Sequence, residues 1–540
     1  SVGVTDNFFE LGGDSILSIQ IVARAIHHGL SLSPRQLFLH QTIEELAAVA
    51  EETGSPKQIE PVGGEAPLTP IQHWFFEADQ AEPHHYNQAI LLEVSPRLDI
   101  AMLQEAVRGI WAHHSGLRLR FFRDGSSWRQ VCASDGRSPE VTYVDWSSDS
   151  TEQRSSTLES VAARLQSGLN LTDGPLMRIA YFRGCNGESG RLLWIAHHLL
   201  TDGVSWRILL EDLDTACRQL EEGEAITLLP ATAPFTNWAR RLQDYAHSSS
   251  MLKELRFWQD ICNAAPPPVV ACSPADGEAP LRENISGNTR SQTFELSSTL
   301  TDYLLHDVPP VYHTGINDIL LTALVETFAD WTGSRALLLD LEGHGREELF
   351  PDLDVARTTG WFTTIFPVHL RLRDAASPGE AIKSVKEQLK RIPNHGIGYG
   401  LLKYLNDDPA VRASLSKQQP QLSFNYLGQL DLAMGKSRYF RPALEPSGPP
   451  VSPLHRCRHL VEIDASIISG RLLVTWRFVE WALEVETVRQ LGTTYLDRLQ
   501  VLIEHCRSPD AGGFTPSDFA AARVGSQNLD RLLSKLRPQP

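Results

Sequence analysis

The spacing of apolar residues divides the chain into a short helical part and a much longer part with mixed periodicity. In SILSIQIVARAI, isoleucines recur at the spacing of one helical face and predict an amphipathic helix. Ser33-Pro34 is a typical helix start, and Thr42 with Glu45 forms a capping-box pattern that predicts one more helix. Residues 1–52 are therefore predicted to form a small helical unit, followed by a linker over 53–66 that is rich in Gly, Pro and charge.

After Pro67 the periodicity alternates between that of strands and that of helices. The predicted strands include NQAILLEV, LMRIAYF, RLLWIA, ALLLDLE, TTIFPVHLRLR, QLSFNYLG and LLVTWRFVE. The predicted helices include IAMLQEAVRGIWAHH, NDILLTALVETFADW, SPGEAIKSVKEQLKRI and LEVETVRQLGTTYLDRLQVLIEHC. Residues 262–290 are rich in Pro, Gly and Ala. We therefore expect two α+β lobes, at about 67–275 and about 285–507, and then a tail over 508–540 with one amphipathic piece, NLDRLLSKL.

Composition narrows the possible partners and the compartment. The net charge of −17 over 540 residues argues against nucleic acid, which needs a basic surface. No run of 18 apolar residues predicts a membrane span, and SVGVTDNFFE lacks the features of a signal peptide. The seven scattered cysteines indicate reduced thiols, so we expect a cytoplasmic protein. The first residue is not Met, and we expect a fragment of a larger chain.

Three stretches contain candidate modification or catalytic residues. Ser15 follows Gly-Gly-Asp at a predicted helix start, which suits either an N-cap or a modified serine whose phosphodiester the helix N-terminus would favour. In "HHLLTDG", His197 and His198 follow the predicted strand RLLWIA, and Asp202 comes four residues later. Glu342 ends the predicted strand ALLLDLE, and by itself it would be read as a solvated loop residue.

The two histidines leave several interpretations open. Neighbouring strand residues point to opposite faces, so at most one of His197 and His198 faces a given cleft. This argues against zinc, which needs converging ligands, and no metal site is predicted. A buried structural histidine remains possible beside a catalytic one. Asp202 either orients a histidine or braces the loop by pairing with an arginine.

Several blocks resemble known families. DNFFELGGDSI resembles the attachment motif of peptidyl carrier domains of nonribosomal peptide synthetases, and HHLLTDG resembles the HHxxxDG motif of the condensation superfamily. LEGHGREEL, RTTGWFTTIFPV, PNHGIGYG, FNYLG, LTPIQHWFFE and HHYNQA resemble the blocks of epimerization domains, with Phe366 where Tyr is usual. Carrier domains have a further helix before the motif, and only 14 residues precede Ser15 here. That first helix is therefore expected to be missing.

The resemblance implies a fold and a function. The fold would be a small all-α carrier followed by two chloramphenicol acetyltransferase-like lobes in a V shape. Ser15 would carry 4′-phosphopantetheine, and the reaction would invert the α-carbon of an aminoacyl or peptidyl thioester from L to D. His198 and Glu342 would be the catalytic pair, and His197, Asp202, Asn425 and Tyr426 would support them, with Asp202 structural and the last two lining the cleft.

The same resemblance leaves two other functions possible and implies neighbouring domains as partners. A condensation enzyme, in which His198 assists amine attack on a thioester, shares the histidine motif. A catalytically idle module that positions the carrier is the other alternative. The expected partners are an upstream adenylation domain and a downstream condensation domain of the same assembly line.

Overall fold

The computed structural model describes residues 2–8, 11, 13, 17–18, 21–22, 24–25, 28–52, 63–134, 137–184, 187–230, 232–270, 284–372, 377–417, 419–429 and 437–522. Ser15, most of the linker and the amphipathic piece at 528–536 lie outside these residues. Among the described residues, no helix combines the length and the apolar character needed to cross a membrane.

The α-helices, numbered in chain order, are α1 Pro34–Leu39, α2 Ile43–Val49, α3 Pro70–Glu77, α4 Ile100–His113, α5 Thr151–Gln166, α6 Gly203–Glu221, α7 Phe235–Ala246, α8 Ser249–Cys262, α9 Ser298–His306, α10 Pro309–Tyr312, α11 Ile316–Thr332, α12 Pro378–Lys390, α13 Ile397–Gly400, α14 Pro409–Ser414 and α15 Val485–Cys506. The strands are β1 Leu30–Ser31, β2 Glu51–Glu52, β3 Gly64–Ala66, β4 Asn87–Val94, β5 Leu119–Asp124, β6 Ser127–Cys132, β7 Val141–Asp145, β8 Met177–Arg183, β9 Gly190–His197, β10 Thr289–Glu295, β11 Ala336–Gly343, β12 Thr364–Arg371, β13 Leu422–Gln429, β14 Phe440–Pro442, β15 Val461–Ile468 and β16 Arg471–Val479.

The helix starts in the first 52 residues follow the predicted caps. The Ser33 side chain accepts a hydrogen bond from the backbone N–H of Gln36 at 3.2 Å, and Thr42 accepts one from Glu45 at 3.1 Å. These bonds satisfy N–H groups that the first helical turn leaves unpaired. Strands β1 and β2, which the periodicity did not predict, pair antiparallel on either side of these two helices.

The N-terminal lobe is built on a five-stranded sheet with the order β14-β4-β9-β8-β7. Helices α4 and α6 cover one face, and α5 covers the other. Alternate residues of β9 enter the two cores: Leu192 and Trp194 pack with α4 and α6, and Leu193 and Ile195 pack with α5. A strand that is covered on both faces reads as a continuous apolar run, which explains RLLWIA.

The C-terminal lobe is built on a six-stranded sheet with the order β10-β16-β15-β13-β11-β12. One face is apolar and carries Phe424, Ile463 and Trp476, which are buried in the core that includes α11 and α15. The alternate positions carry polar groups, including Glu342 on β11, Asn425 on β13 and Asp464 on β15. Side chains alternate along strands, so these polar groups share the opposite face of the sheet.

Two features join the lobes. Strand β14 comes from the second half of the chain, yet it pairs antiparallel with β4 of the N-terminal sheet. The largest apolar core extends from β5 through α7 and α8 into the C-terminal lobe. The predicted two-lobed α+β fold is confirmed, and the lobes share a core that the periodicity did not reveal.

The exchange of β14 predicts a stability effect in the opposite lobe. Phe440 on β14 is 1% exposed and packs in the N-terminal core, whereas Leu444, four residues later, is 99% exposed. Phe440→Ala should lower the free energy of unfolding by about 3–5 kcal/mol, because it leaves a cavity. Urea unfolding and hydrogen exchange of β4 peptides measure the effect. Leu444→Ala is the control and should change neither the free energy of unfolding nor the hydrogen exchange of β4. Equal effects of both variants would contradict the packing role of β14.

Candidate functional site

His198 lies where β9 ends and a short 3₁₀ turn, His198–Leu200, begins. Its Nδ1 lies 2.8 Å from the backbone oxygen of Thr201. The imidazole packs at 4.1 Å from the Trp361 ring and stacks at 5.4 Å on Tyr86, measured between ring centroids. Burial lowers the pKa of His198, so the ring is neutral at neutral pH.

His197 points into the core. It is fully buried, its Nε2 donates to the carbonyl oxygen of Pro83 at 2.9 Å, and its Nδ1 accepts from the N–H of Leu199 at 3.2 Å. Burial lowers its pKa to about 3. Both ring nitrogens are thus bonded to backbone, and the two neighbouring histidines have different environments.

Asp202 binds an arginine of the other lobe. Its carboxylate caps α6 through the N–H of Ser205 at 2.7 Å and accepts from Arg346 Nη2 at 3.1 and 3.3 Å. It also accepts from the N–H of Phe362 at 3.1 Å. Of the two interpretations of this residue, pairing with an arginine is the one that the contacts match. Arg346 itself belongs to the LEGHGREEL block, which the sequence reasoning used for Glu342 alone.

Arg346 also holds the segment that covers His198. It donates to the carbonyl oxygens of Val355 at 2.8 Å and Thr358 at 2.7 Å. Ser205 Oγ donates to the carbonyl oxygen of Gly360 at 2.8 Å. These bonds fix the chain before Trp361, and the bond from the Phe362 N–H to Asp202 fixes it afterwards, so the Trp361 ring is held against the imidazole.

Glu342 lies near the end of β11 on the polar face of the C-terminal sheet. Its Oε2 accepts a hydrogen bond from Asn425 Nδ2 at 3.0 Å. Burial, followed by the charges of Asp464, Glu462 and Asp340, raises the pKa of Glu342 to about 8. The carboxyl is therefore mostly protonated at neutral pH and can donate a proton.

A second carboxyl on this face was missed by the sequence reasoning. Asp464 on β15 pairs with Asn425 in register, and burial raises its pKa to about 6. Glu462, two residues earlier, forms an ion pair with Arg477 Nη1 at 2.8 Å. Charged and apolar residues alternate in VEIDASII, and this period of two is the signal that would have revealed both the strand and its polar face.

Tyr86 connects the two lobes at this site. Its ring stacks on His198 and, at 4.6 Å, on His455. Burial, followed by the charges of Glu462 and Glu342, raises its pKa. Tyr86 therefore contacts the histidine of one lobe directly, and the charge of a carboxyl of the other lobe acts on it.

Tyr426 and Asn425 do not share an environment. Asn425 bonds to Glu342, whereas Tyr426 is the next residue along β13 and pairs in register with the buried Ala465. The Tyr426 ring packs against the apolar core that both lobes share, which also includes Trp361 and contacts Tyr86. The register of β13 becomes irregular after Tyr426. The position of Tyr426 in the cleft stays a prediction.

One group of side chains in the described residues has the spacing of metal ligands. The ligand atoms of His113, His114 and Asp212 lie within 4.8 Å of one another. Asp212 is already bonded to His114 Nε2 at 2.7 Å and to Arg357 Nη2 at 2.6 Å. A guanidinium at that distance repels a cation, so these residues do not fit a metal site.

Comparison with known proteins identifies the family. The two lobes with a histidine at the end of β9 define a condensation-type fold, and the condensation-domain family model matches residues 62–524. The chain belongs to this family. The model of the phosphopantetheine attachment site matches residues 1–50, so the chain carries a site for covalent 4′-phosphopantetheine, as predicted. The attachment residue proposed from the sequence, Ser15, lies outside the described residues.

The relatives are large synthases, and this chain matches one segment of each. One of the linear gramicidin synthase proteins of Brevibacillus parabrevis is 42% identical over 99% of this chain, and chondramide synthase cmdD of Chondromyces crocatus is 41% identical over 99%. The chain spans 7% and 14% of their lengths. Together with the two family models, these relatives confirm the resemblance to nonribosomal peptide synthetases.

Two solved structures define the fold further. The crystal structure of the epimerization domain from the third module of tyrocidine synthetase B is 33% identical, with a TM-score of 0.76, and covers 83% of this chain and 98% of that one. The condensation domain of Monacolin K polyketide synthase MokA is 17% identical with a TM-score of 0.64, and covers 82% and 97%. The second likeness concerns the fold alone.

The buried ion pair between the lobes predicts a large effect on stability. Arg346→Met should lower the free energy of unfolding by about 3–5 kcal/mol, because it leaves the Asp202 carboxylate buried without its partner. Thermal and urea unfolding measure this loss. Arg183→Met, which removes an exposed arginine that pairs with Asp145 at 3.6 Å, is the control and should be close to neutral. A small effect of Arg346→Met would show that the lobes do not depend on this pair.

Proposed function

We propose that the chain epimerizes the α-carbon of an aminoacyl or peptidyl thioester held on the phosphopantetheine arm of its own carrier domain. The observation that carries the proposal is the Glu342 carboxyl, which accepts from Asn425 Nδ2 at 3.0 Å on the polar face of the C-terminal sheet. Burial and neighbouring carboxyls raise its pKa to about 8. Inversion needs one group that removes the α-hydrogen and another that returns a hydrogen to the opposite face, and a neutral imidazole with a protonated carboxyl suits these two tasks.

The roles follow from the protonation states. The thioester that the phosphopantetheine thiol forms makes the α-hydrogen of the amino acid more acidic. His198, neutral in its buried position, accepts the α-proton. Glu342, protonated at neutral pH, returns a proton to the other face, and Asn425 holds its carboxyl in place. In the reverse direction, the ionised Glu342 accepts and the protonated His198 donates.

Likeness to the tyrocidine synthetase epimerization domain supports this assignment over condensation. The blocks that carry Glu342 and Asn425, LEGHGREEL and FNYLG, are those that separate epimerization domains from condensation domains by resemblance. Condensation would need His198 and an acceptor amine but gives no role to a protonated carboxyl on the facing sheet. Adenylation and condensation domains of the same assembly line would be the neighbours, in the cytoplasm.

The carrier contacts the catalytic part in a way that fits delivery within one chain. Arg24 Nη2 pairs with Glu211 Oε1 on α6 at 2.8 Å. Glu211 also binds Arg357 Nη1 at 2.6 Å, so the contact is made to a side chain that is held by both lobes. Tethering raises the effective concentration of the substrate at the site.

The first test concerns the attachment of the arm. Ser15 should accept one phosphopantetheine from coenzyme A and a phosphopantetheinyl transferase, because it follows Gly-Gly-Asp at a predicted helix start. Intact-protein mass spectrometry measures the addition, and Ser15→Ala should show none. Ser18→Ala, three residues later in the same segment, is the control. If Ser15→Ala still gains the arm, the attachment site is a different residue.

The second test concerns the reaction. The carrier is loaded with L- or D-aminoacyl arms from alanyl, leucyl and phenylalanyl coenzyme A, and the released amino acid is separated by chiral chromatography. The unchanged protein should bring both isomers of an accepted amino acid to one mixture, and its L-to-D rate should fall above about pH 8 as Glu342 loses its proton. Glu342→Gln should slow the interconversion of the L and D thioesters by about 10² to 10⁴-fold, since it removes the titratable proton.

The controls separate the rival functions. Glu347→Gln changes a neighbouring glutamate that the mechanism does not use, and it should leave inversion measurable. Amide formation with an added aminoacyl carrier, without inversion, would favour condensation. No change with any of the three amino acids and no amide would favour a docking module. Rapid inversion by Glu342→Gln would remove the carboxyl from the mechanism.

A further inference from the structure

We propose that Gln88 is a positioning residue that holds His198 in the tautomer with its proton on Nδ1 and its lone pair on Nε2. Gln88 lies on β4, next to the histidine loop, and its Nε2 lies 3.1 Å from His198 Nε2. The inference deepens the proposed function, since it concerns the same histidine. Only the expected effect on catalysis rests on the proposed function, and the expected tautomer does not.

The orientation of the Gln88 amide is fixed by Trp206, which can only donate a hydrogen bond to it. Trp206 Nε1 lies 2.8 Å from Gln88 Oε1, and an indole N–H donates but never accepts. The hydroxyl of Thr201 donates to the same oxygen at 3.2 Å. The amide oxygen therefore faces Trp206, and the amide NH₂ faces the imidazole.

The tautomer of His198 follows from these orientations. The backbone oxygen of Thr201, 2.8 Å from Nδ1, can only accept, so Nδ1 carries the proton. Nε2 faces the Gln88 NH₂ group, which can only donate, so Nε2 is the acceptor. Two independent contacts thus select one tautomer, and neither depends on the other.

The same contact opposes protonation of the imidazole. A proton on Nε2 would set two donors against each other at 3.1 Å, because Trp206 and Thr201 hold the Gln88 amide from turning over. Burial acts in the same direction and lowers the pKa of His198. Gln88 therefore keeps the resting imidazole in the form that accepts a proton at Nε2. Transfer of the α-proton to Nε2 therefore requires the imidazole and the Gln88 amide to move apart, so this contact describes the resting site and not the loaded one.

Other titratable groups surround His198. Asp202 in the same loop raises the pKa of His198, but its charge is shared with Arg346. His197 precedes it, Tyr86 stacks on it from the start of β4, and His455 stacks on the far side of Tyr86. Of these groups, the Asp202 carboxylate favours the imidazolium, whereas the two ring nitrogens of His198 face Gln88 and the Thr201 backbone oxygen, which select the tautomer.

The test measures His198 directly, without relying on activity. Histidine labelled with ¹³C at Cε1 and with ¹⁵N is followed by NMR as a function of pH, and His198→Asn identifies the signal. The unchanged protein should show a neutral ring with the proton on Nδ1 through neutral pH. Gln88→Glu places a carboxylate oxygen against Nε2 and should raise the pKa of His198 by at least about one unit, about tenfold in the protonation constant.

Two milder variants separate positioning from folding. Gln88→Leu removes the donor and should raise the pKa of His198 by less than Gln88→Glu does. Trp206→Phe keeps Gln88 but frees its amide to turn over, and it should move the pKa in the same direction. Gln292→Leu is the matched control, because Gln292 donates to a backbone oxygen on the distant β10 side of the C-terminal sheet and should leave the His198 titration unchanged.

The catalytic consequence has its own readout. For Gln88→Glu, the rate of α-hydrogen exchange should fall most at acidic pH, by up to about tenfold for each unit by which the pKa of His198 rises, and the loss should shrink as the pH rises and the ring loses its added proton. An unchanged pKa and tautomer of His198 in Gln88→Glu would overturn the positioning role. A shifted titration in a protein that never inverts any thioester would instead overturn the proposed function and leave the role of Gln88 intact.

Discussion

The buried ion pair between Asp202 and Arg346 is the constraint on which the site depends. Two charges taken out of water cost several kcal/mol each, and good geometry with additional hydrogen bonds offsets this cost. The hydrogen-bond partners of the pair come from both lobes: Ser205 from one, and the backbone of residues 355–362 from the other, with Arg346 Nε left unbonded. The lobes cannot separate here without exposing these groups or leaving them unpaired. The pair thus fixes the distance between the histidine loop and the C-terminal sheet.

Burial shifts the pKa values of the two candidate catalytic groups in opposite directions, and both shifts favour the neutral form. It disfavours charge, and so it lowers the pKa of the His198 imidazole and raises that of the Glu342 carboxyl. Both groups are neutral at rest, the one as a base and the other as an acid. The charged pair, with an imidazolium and a carboxylate, is instead the form that the proposed reverse direction uses. Enclosure of the site by both lobes therefore sets the protonation states as well as the geometry.

The sequence predicts elements better than it predicts contacts between them. β4 follows its predicted bounds, since NQAILLEV lies between clear turn signals, and the Ser33 and Thr42 caps form as expected. β15 was missed, because its alternation of charged and apolar residues looks like a polar segment unless it is counted with a period of two. The exchange of β14 and the pairing of Arg346 with Asp202 depend on residues over 140 positions apart, which no local pattern encodes. The resemblance to known motifs supplied His198 and Glu342, but Gln88 and Asp464 emerge from the strand register.

The two lobes supply different parts of the candidate site. The environment of His198 is made by β4, β9, α6 and the Trp361 segment, and it provides a neutral imidazole whatever the substrate. The second group comes from the polar face of the C-terminal sheet, where Glu342, Asn425 and Asp464 lie across three neighbouring strands. Alternation along the strands separates these side chains from the apolar residues of the core behind them. In the proposed function, the Glu342 carboxyl on this face is the group that returns a proton to the α-carbon.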